Sequence, residues 1–177
     1  MFSEEEIIEE CIKGNRKAEK HLYTKYNGLF FAICLRYTQS REEAEDVLIT
    51  GFTSIFESLP MYKKQGSFEG WMKRIIINTA VNHYRTNKKH LSNIDIEEID
   101  TINEISQKSY QDINVKDILN QIQMMPEGYK QVFNLFAIEG YKHTEIAEML
   151  HIAENTSKSQ YAKAKKWLQR RLEDFKY

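Results

Sequence analysis

Apolar residues recur at spacings of three and four along most of this chain, and the recurrence breaks at a few marked places. Ile7, Ile8, Cys11 and Ile12 share one helical face, opened by Ser3 and Glu6 at capping-box spacing and closed near Gly14-Asn15. A second stripe through Ala18, Leu22, Tyr26, Leu29, Phe30, Ile33, Cys34 and Tyr37 predicts a helix packed on a core. Ser40 with Glu43 opens a third helix, on which Ala44, Val47, Leu48, Gly51 and Ile55 share a face. Beside that face runs a second row, Glu45, Ile49, Phe52 and Phe56. The combined surface is wider than one packing seam needs, as in a helix buried on two sides or one that meets a partner.

Pro60 to Ser67 reads as a loop, with Ser67 capping a helix that turns Phe68, Met72, Ile75, Ile76 and Thr79 toward a core. From 90 to 114 the periodicity is lost in a polar, acidic stretch, with a helical turn expected around Glu98 to Ile105. It returns at Ile118, Leu119, Ile122 and Met125. Pro126 then stands at a helix start, where its missing donor costs nothing. Val132, Phe133, Leu135 and Phe136 pack a helix ending near Gly140, and Thr144 is the expected cap of TEIAEMLHI. After a break at His151-Ile152-Ala153 comes a last helix with Ser157, Tyr161, Ala164 and Leu168 on its inner sector. The pattern predicts an all-α protein of two small helical domains, residues 1–89 and 115–177, joined by an acidic linker at 90–114.

Composition supports this. Of 177 residues 41% are hydrophobic and 12% aromatic, enough for two small cores, and only Pro60 and Pro126 interrupt helices. Cys11 and Cys34 fall within apolar periodicity and read as buried reduced thiols. The N-terminus, MFSEEEIIEE, is acidic where a signal peptide is basic, and no apolar run reaches membrane-spanning length. The expectation is a cytoplasmic protein with no membrane insertion. His21, His83, His90, His143 and His151 form no metal-spaced cluster, and no phosphate loop or nucleophile motif occurs. Neither catalytic residues, a metal nor a cofactor is expected.

Net charge is −1, but the charge is segregated. No acidic residue lies between Asn155 and Leu172, where Lys158, Lys163, Lys165, Lys166, Arg170 and Arg171 stand. Ser159, Ala162, Lys163, Lys166 and Arg170 lie opposite the inner sector, so small residues and cations share the outward face. Two helices with a tight turn, the second cationic, make a helix-turn-helix whose second helix suits a DNA major groove. Upstream, Trp71, Arg74, Asn78, Asn82 and Arg85 form one band beside the basic loop of Tyr62, Lys63 and Lys64. That chemistry fits stacking on bases while gripping phosphates, and equally a solvated face with Trp71 turned into the core.

Four stretches in this order resemble one family. They are AEDV followed by Phe52 at 44–52, SFEGWMKRIIINTAVNHYR at 67–85, MPEGYKQVFNLFAIEGYKHTEIAEML at 125–150 and ENTSKSQYAKAKKWL at 154–168. The chain resembles bacterial RNA polymerase sigma factors of the extracytoplasmic function group, compact relatives within the sigma-70 family. The resemblance implies a first domain that binds the β′ clamp helices of core RNA polymerase and captures the opened −10 element. A second domain would read the duplex −35 element and contact the β flap.

By the same resemblance Glu45 and Asp46 face the clamp, with Ile49 and Phe52 on the adjoining row. Tyr62, Lys63, Lys64, Trp71, Arg74, Asn78, Asn82 and Arg85 face melted −10 DNA. Thr156, Lys158, Ser159, Gln160 and Lys163 enter the −35 groove, with Lys166 one turn beyond. An anti-sigma partner is a family expectation. The chain departs from the family pattern in four places. Ile49-Thr50 replace a common Gln-Glu, which makes the clamp contact more apolar. Asn82 stands at a usually acidic position, and His151 and Asn155 where glycines are frequent. The rival reading, a stand-alone helix-turn-helix regulator with a helical sensor domain, explains the last third of the chain but not the band from Tyr62 to Arg85.

Overall fold

In a computed structural model that describes residues 3–91 and 115–173, the regular elements are all helical. Ser3 accepts from Glu6 N–H and Glu6 answers Ser3 N–H, so α1 (Glu4–Ile12) starts on a complete capping box. It stops where Gly14 takes a φ of 75°, a backbone state open to glycine at little cost. Asn15 caps α2 (Arg16–Tyr37), and Ser40 caps α3 (Arg41–Ser58) by accepting from Glu43 N–H. Glu43 reaches back past Ser40 to Gln39 N–H. A short 3-10 turn at Leu59–Met61 leads to the loop before α4 (Phe68–Leu91), where Ser67 Oγ accepts from Gly70 N–H.

The chain falls into two compact units, residues 1–84 and 85–177. In the first, α1 packs on α2, and α2 on α3. Leu22, Phe30, Ile33, Cys34, Tyr37, Ala44, Val47 and Ile55 are buried among them. The buried face of α4 is Phe68, Met72, Ile76, Ile77, Ala80 and Val81. This corrects the sequence expectation, since Ile75 and Thr79 are half-buried flanks. Thr79 Oγ1 donates back to Ile75 carbonyl, 2.9 Å away, and so satisfies its hydroxyl without a place in the core.

The second unit holds α5 (Val115–Gln123), α6 (Glu127–Phe133), a π-helical turn at Asn134–Ile138, α7 (His143–Leu150) and α8 (Glu154–Glu173). Pro126 precedes α6, and Gly140 at φ 80° ends the π turn. Helix α7 begins one residue before Thr144. Glu145 accepts from Lys142 N–H at 2.7 Å, so a backward-reaching carboxylate, and not the threonine hydroxyl, opens the helix. Ile122, Met125 and Ala164 form a core joined by Ile118, Tyr129, Phe133, Trp167 and Leu168, which fastens α8 against α5 and α6. The acidic stretch 92–114, with the turn expected at Glu98 to Ile105, lies outside the described residues.

Candidate functional site

Helix α3 turns Glu45, Asp46, Ile49, Thr50 and Thr53 to the surface. Ile49 is 61% exposed among otherwise polar neighbours. Phe52, expected beside it, is buried and tilts against Tyr23 and Phe30 at centroid distances of 4.7 and 5.7 Å. The wide apolar surface of α3 is thus a helix buried on two sides plus one exposed isoleucine. Arg41, absent from the sequence expectations, donates to Glu45 at 2.9 Å while its guanidinium sits 5.1 Å from the Phe31 ring. Both side chains are exposed, so the pair biases the Glu45 carboxylate only weakly. The i,i+4 spacing of Arg41 and Glu45 was a readable signal.

The loop and α4 bring the expected aromatic and basic residues together. Tyr62 lies 4.9 Å from Trp71 and 5.2 Å from Phe68, and Phe68 stacks on Trp71 at 5.8 Å. Tyr62 and Trp71 are half-buried, so each ring leaves part of its surface to solvent while Phe68 supports it from inside. Tyr62 Oη donates to Gly66 carbonyl at 3.2 Å, which closes the loop on itself. Lys63 and Lys64 are exposed at its tip, and Lys64 takes a left-handed backbone with φ 55°. Its ammonium pairs with Glu5 at 3.1 Å, and that hydrogen bond raises its pKa. Arg74, Asn78 and Asn82 follow on the exposed side of α4, with Arg85 half-buried beyond them. Of the two sequence alternatives for Trp71, the ring takes a position between them, packed on one side and open on the other.

In the second unit, α7, the turn at His151–Ala153 and α8 make the helix-turn-helix. His151 ends α7 in the left-handed region with φ 52°, while Asn155 lies inside the first turn of α8 in regular helix. Lys158, Ser159, Lys163 and Lys166 are exposed, and Thr156 is half-buried. Lys158 pairs with Glu154 at 2.6 Å, and that bond holds the Glu154 carboxyl below the usual carboxylate range. Lys163 lies 5.9 Å from the Tyr129 ring centre. Both lysines are exposed and these contacts are weak, so phosphate oxygens can replace them. Gln160 differs from Ser159 and the lysines. It is half-buried, with its amide over Gly128, where an added Cβ would come within 3.1 Å of Gln160 Nε2.

Among the described residues no group of three or more His, Cys, Asp or Glu side chains is placed to hold a metal ion. No described helix is long and apolar enough to cross a membrane.

A family model described as Sigma-70 region 2 matches residues 22–90, and one described as Sigma-70, region 4 matches residues 116–168. The chain is 22% identical over 184 residues to the ECF RNA polymerase sigma-E factor of Haemophilus influenzae, covering 98% of this chain and 97% of that protein. It is likewise 22% identical over 181 residues to the RNA polymerase sigma-H factor of Pseudomonas aeruginosa, covering 96% and 94%. Among solved structures, it shares its fold with the sigma factor RpoE from Bartonella quintana, crystallised with the anti-sigma factor NepR. The TM-score is 0.53 at 17% identity, over 87% of this chain and 96% of that one. CnrH, solved in complex with the cytosolic domain of CnrY, gives a TM-score of 0.50 at 16% identity, over 95% and 96%.

Proposed function

The chain belongs to the sigma-70 family of bacterial RNA polymerase initiation factors, in its extracytoplasmic function group, and from that premise we propose how its surfaces divide the work of promoter selection. Residues 1–89 act as the unit for the polymerase clamp and the −10 element, 115–177 as the unit for the −35 element, and 90–114 as their linker. Glu45, Asp46 and Ile49 meet the β′ clamp helices, while Phe52 supports them from the core. The loop with Tyr62, Lys63 and Lys64, and the α4 band of Trp71, Arg74, Asn78, Asn82 and Arg85, take melted −10 DNA. Thr156, Lys158, Ser159, Lys163 and Lys166 enter the −35 major groove. Gln160 contributes from the edge.

The observation that carries this reading is the placement of two half-open rings, Tyr62 and Trp71, between loop lysines and a line of exposed amides and a guanidinium. Extracting a base from the duplex costs a few kcal/mol. Stacking it on an aromatic returns about 1 to 3 kcal/mol per base. The difference is small enough that base identity decides whether opening proceeds. Duplex reading by α8 adds roughly 1 to 3 kcal/mol of discrimination for each well-formed base-edge contact. A regulator that binds only duplex operator has no use for the first of these surfaces.

The protein acts as an initiation factor and does no chemistry of its own, so its working state is a complex with core polymerase in the cytoplasm. The sigma factor RpoE, of the same fold and crystallised with the anti-sigma factor NepR, supports an anti-sigma partner here as well. The test is reconstitution with core RNA polymerase on a permissive promoter library. Selected start sites with defined −10 and −35 elements are expected. Absence of selected starts, or specific duplex binding that is unchanged by core polymerase, overturns the reading.

A further inference from the structure

Between Glu154 and Lys163, the half of α8 that carries the expected reading residues, Ser157 alone is buried. It has no accessible surface, and the next buried position on the helix is Ala164. In these turns Ser157 is the one fully buried side chain, and the apolar packing comes from the half-buried Tyr161, which stacks on Phe133 at 6.1 Å. What meets Ser157 is His143, the first residue of α7, whose Nδ1 lies 2.9 Å from Ser157 Oγ, either atom donating according to the ring tautomer. The imidazole is itself held. It stacks on Phe136 at 4.2 Å with an interplanar angle of 10°, and Tyr161, one turn along α8, tilts against both rings at 4.5 and 5.9 Å.

We propose that His143 is a positioning residue for duplex reading: its bond to Ser157 sets the rotation of α8, and with it where Thr156, Lys158 and Ser159 point. The inference rests on the reading of α8 as the −35 helix. A hydrogen bond suits this role because it is directional, whereas apolar contact tolerates sliding. Side-chain tips lie about 6 Å from a helix axis, so a rotation of about 20° moves them by about 2 Å. That exceeds the distance range over which a base-edge hydrogen bond survives. Ser157 is flanked in sequence by Thr156, Lys158 and Ser159, and its own N–H donates to Ala153 carbonyl at 3.1 Å, so the turn and the first reading residues move with it.

Two substitutions at His143 separate the hydrogen bond from the ring. His143→Asn keeps a polar atom near the Nδ1 position and removes the stack. His143→Phe keeps the stack and removes the bond. Holoenzymes carrying wild type, each variant, Ser157→Ala, and His143→Phe with Ser157→Ala are compared on promoters bearing the −35 element selected by the wild type or a scrambled one. The −10 element is held constant. His143→Phe and Ser157→Ala are expected to lower the selected-to-scrambled initiation ratio by roughly 2- to 10-fold. The double variant is expected to lose no more than either single one. His143→Asn should stay within about 2-fold of wild type, and all variants should bind core polymerase as wild type does. The opposite order, discrimination kept by His143→Phe and lost by His143→Asn, overturns the proposal and leaves ring packing as the role of His143. Additive losses in the double variant also overturn it. A wild-type holoenzyme that ignores the −35 element refutes the reading of α8 itself, and is recognised without any variant.

Discussion

Gly51→Ala places one methyl group where α3 meets Ile76 of α4. The added Cβ would stand 2.5 Å from Ile76 Cδ1 and 3.8 Å from Ile76 Cα. Both residues are buried, so the isoleucine must change rotamer or the helices must part. Overpacking of this kind costs about 1 to 3 kcal/mol. Alanine in a helix interior is favoured over glycine by about 1 kcal/mol. The two oppose each other, and the net expectation is a loss of about 0 to 2 kcal/mol, modest because the obstructing atom is the end of a side chain. The sharper expectation concerns coupling. Ile76→Val deletes the obstructing methyl and alone should cost about 0.5 to 1.5 kcal/mol. In the Gly51→Ala background it should cost about 1 kcal/mol less, or stabilise outright, since it relieves the contact. Urea unfolding of the four proteins, each with Trp167→Phe so that Trp71 is the sole indole, reads the first unit by itself. Additivity within about 0.3 kcal/mol would refute the claim that this contact sets the α3–α4 approach.

At the end of α7, His151→Gly should stabilise the second unit by roughly 0 to 1.5 kcal/mol. It removes a left-handed penalty of about 1 to 2 kcal/mol and adds about 0.5 to 1 kcal/mol of chain entropy. Thermal melts followed by Trp167 in a Trp71→Phe background measure it. Burial pushes the thiols up from 9.0 to about 11 at Cys11 and about 12 at Cys34, with Glu19 and Glu10 adding to the effect at Cys11. The unfolded chain then releases these protons first as pH rises, so stability of the first unit should fall from about pH 9 to about pH 12. Neither thiol should react with a disulfide probe at pH 8 until the protein unfolds, and rapid native labelling of either would contradict the burial. Lys163→Ala should reduce the slope of log K against log salt by about 0.9 for holoenzyme on −35 duplex. An unchanged slope would remove Lys163 from the phosphate contacts.

Much of the fold was legible because its signals are local. Ser3 with Glu6, and Ser40 with Glu43, mark helix starts through bonds that span at most four residues, and Pro126 marks another by its missing donor. The turn at His151–Ala153 was equally plain. The sites were less so. Periodicity gives the direction of a buried face but not its width, which depends on how many neighbours the helix has. Phe52 and Ile49 stand in the same row, yet one is buried and the other is 61% exposed. On α4 the same uncertainty moved Ile77, Ala80 and Val81 inside and left Ile75 and Thr79 at the edge. Lys130, Gln131 and Asn134 are buried despite their polarity, and nothing in their spacing announced it.

Legible along the chain alone were the helical class, the helix starts to within two residues, and the family, while ends such as those of α4 and α6 were not. Each follows from short-range chemistry or from motifs kept in order. Only the tertiary structure decided which residues of a shared face remain available to partners. It closed the Tyr62, Phe68 and Trp71 rings into one cluster, laid Gln160 over Gly128 and brought His143 to Ser157 across fourteen positions. Contacts between helices depend on crossing geometry and side-chain volume together. No single helix, read along its own axis, carries that information.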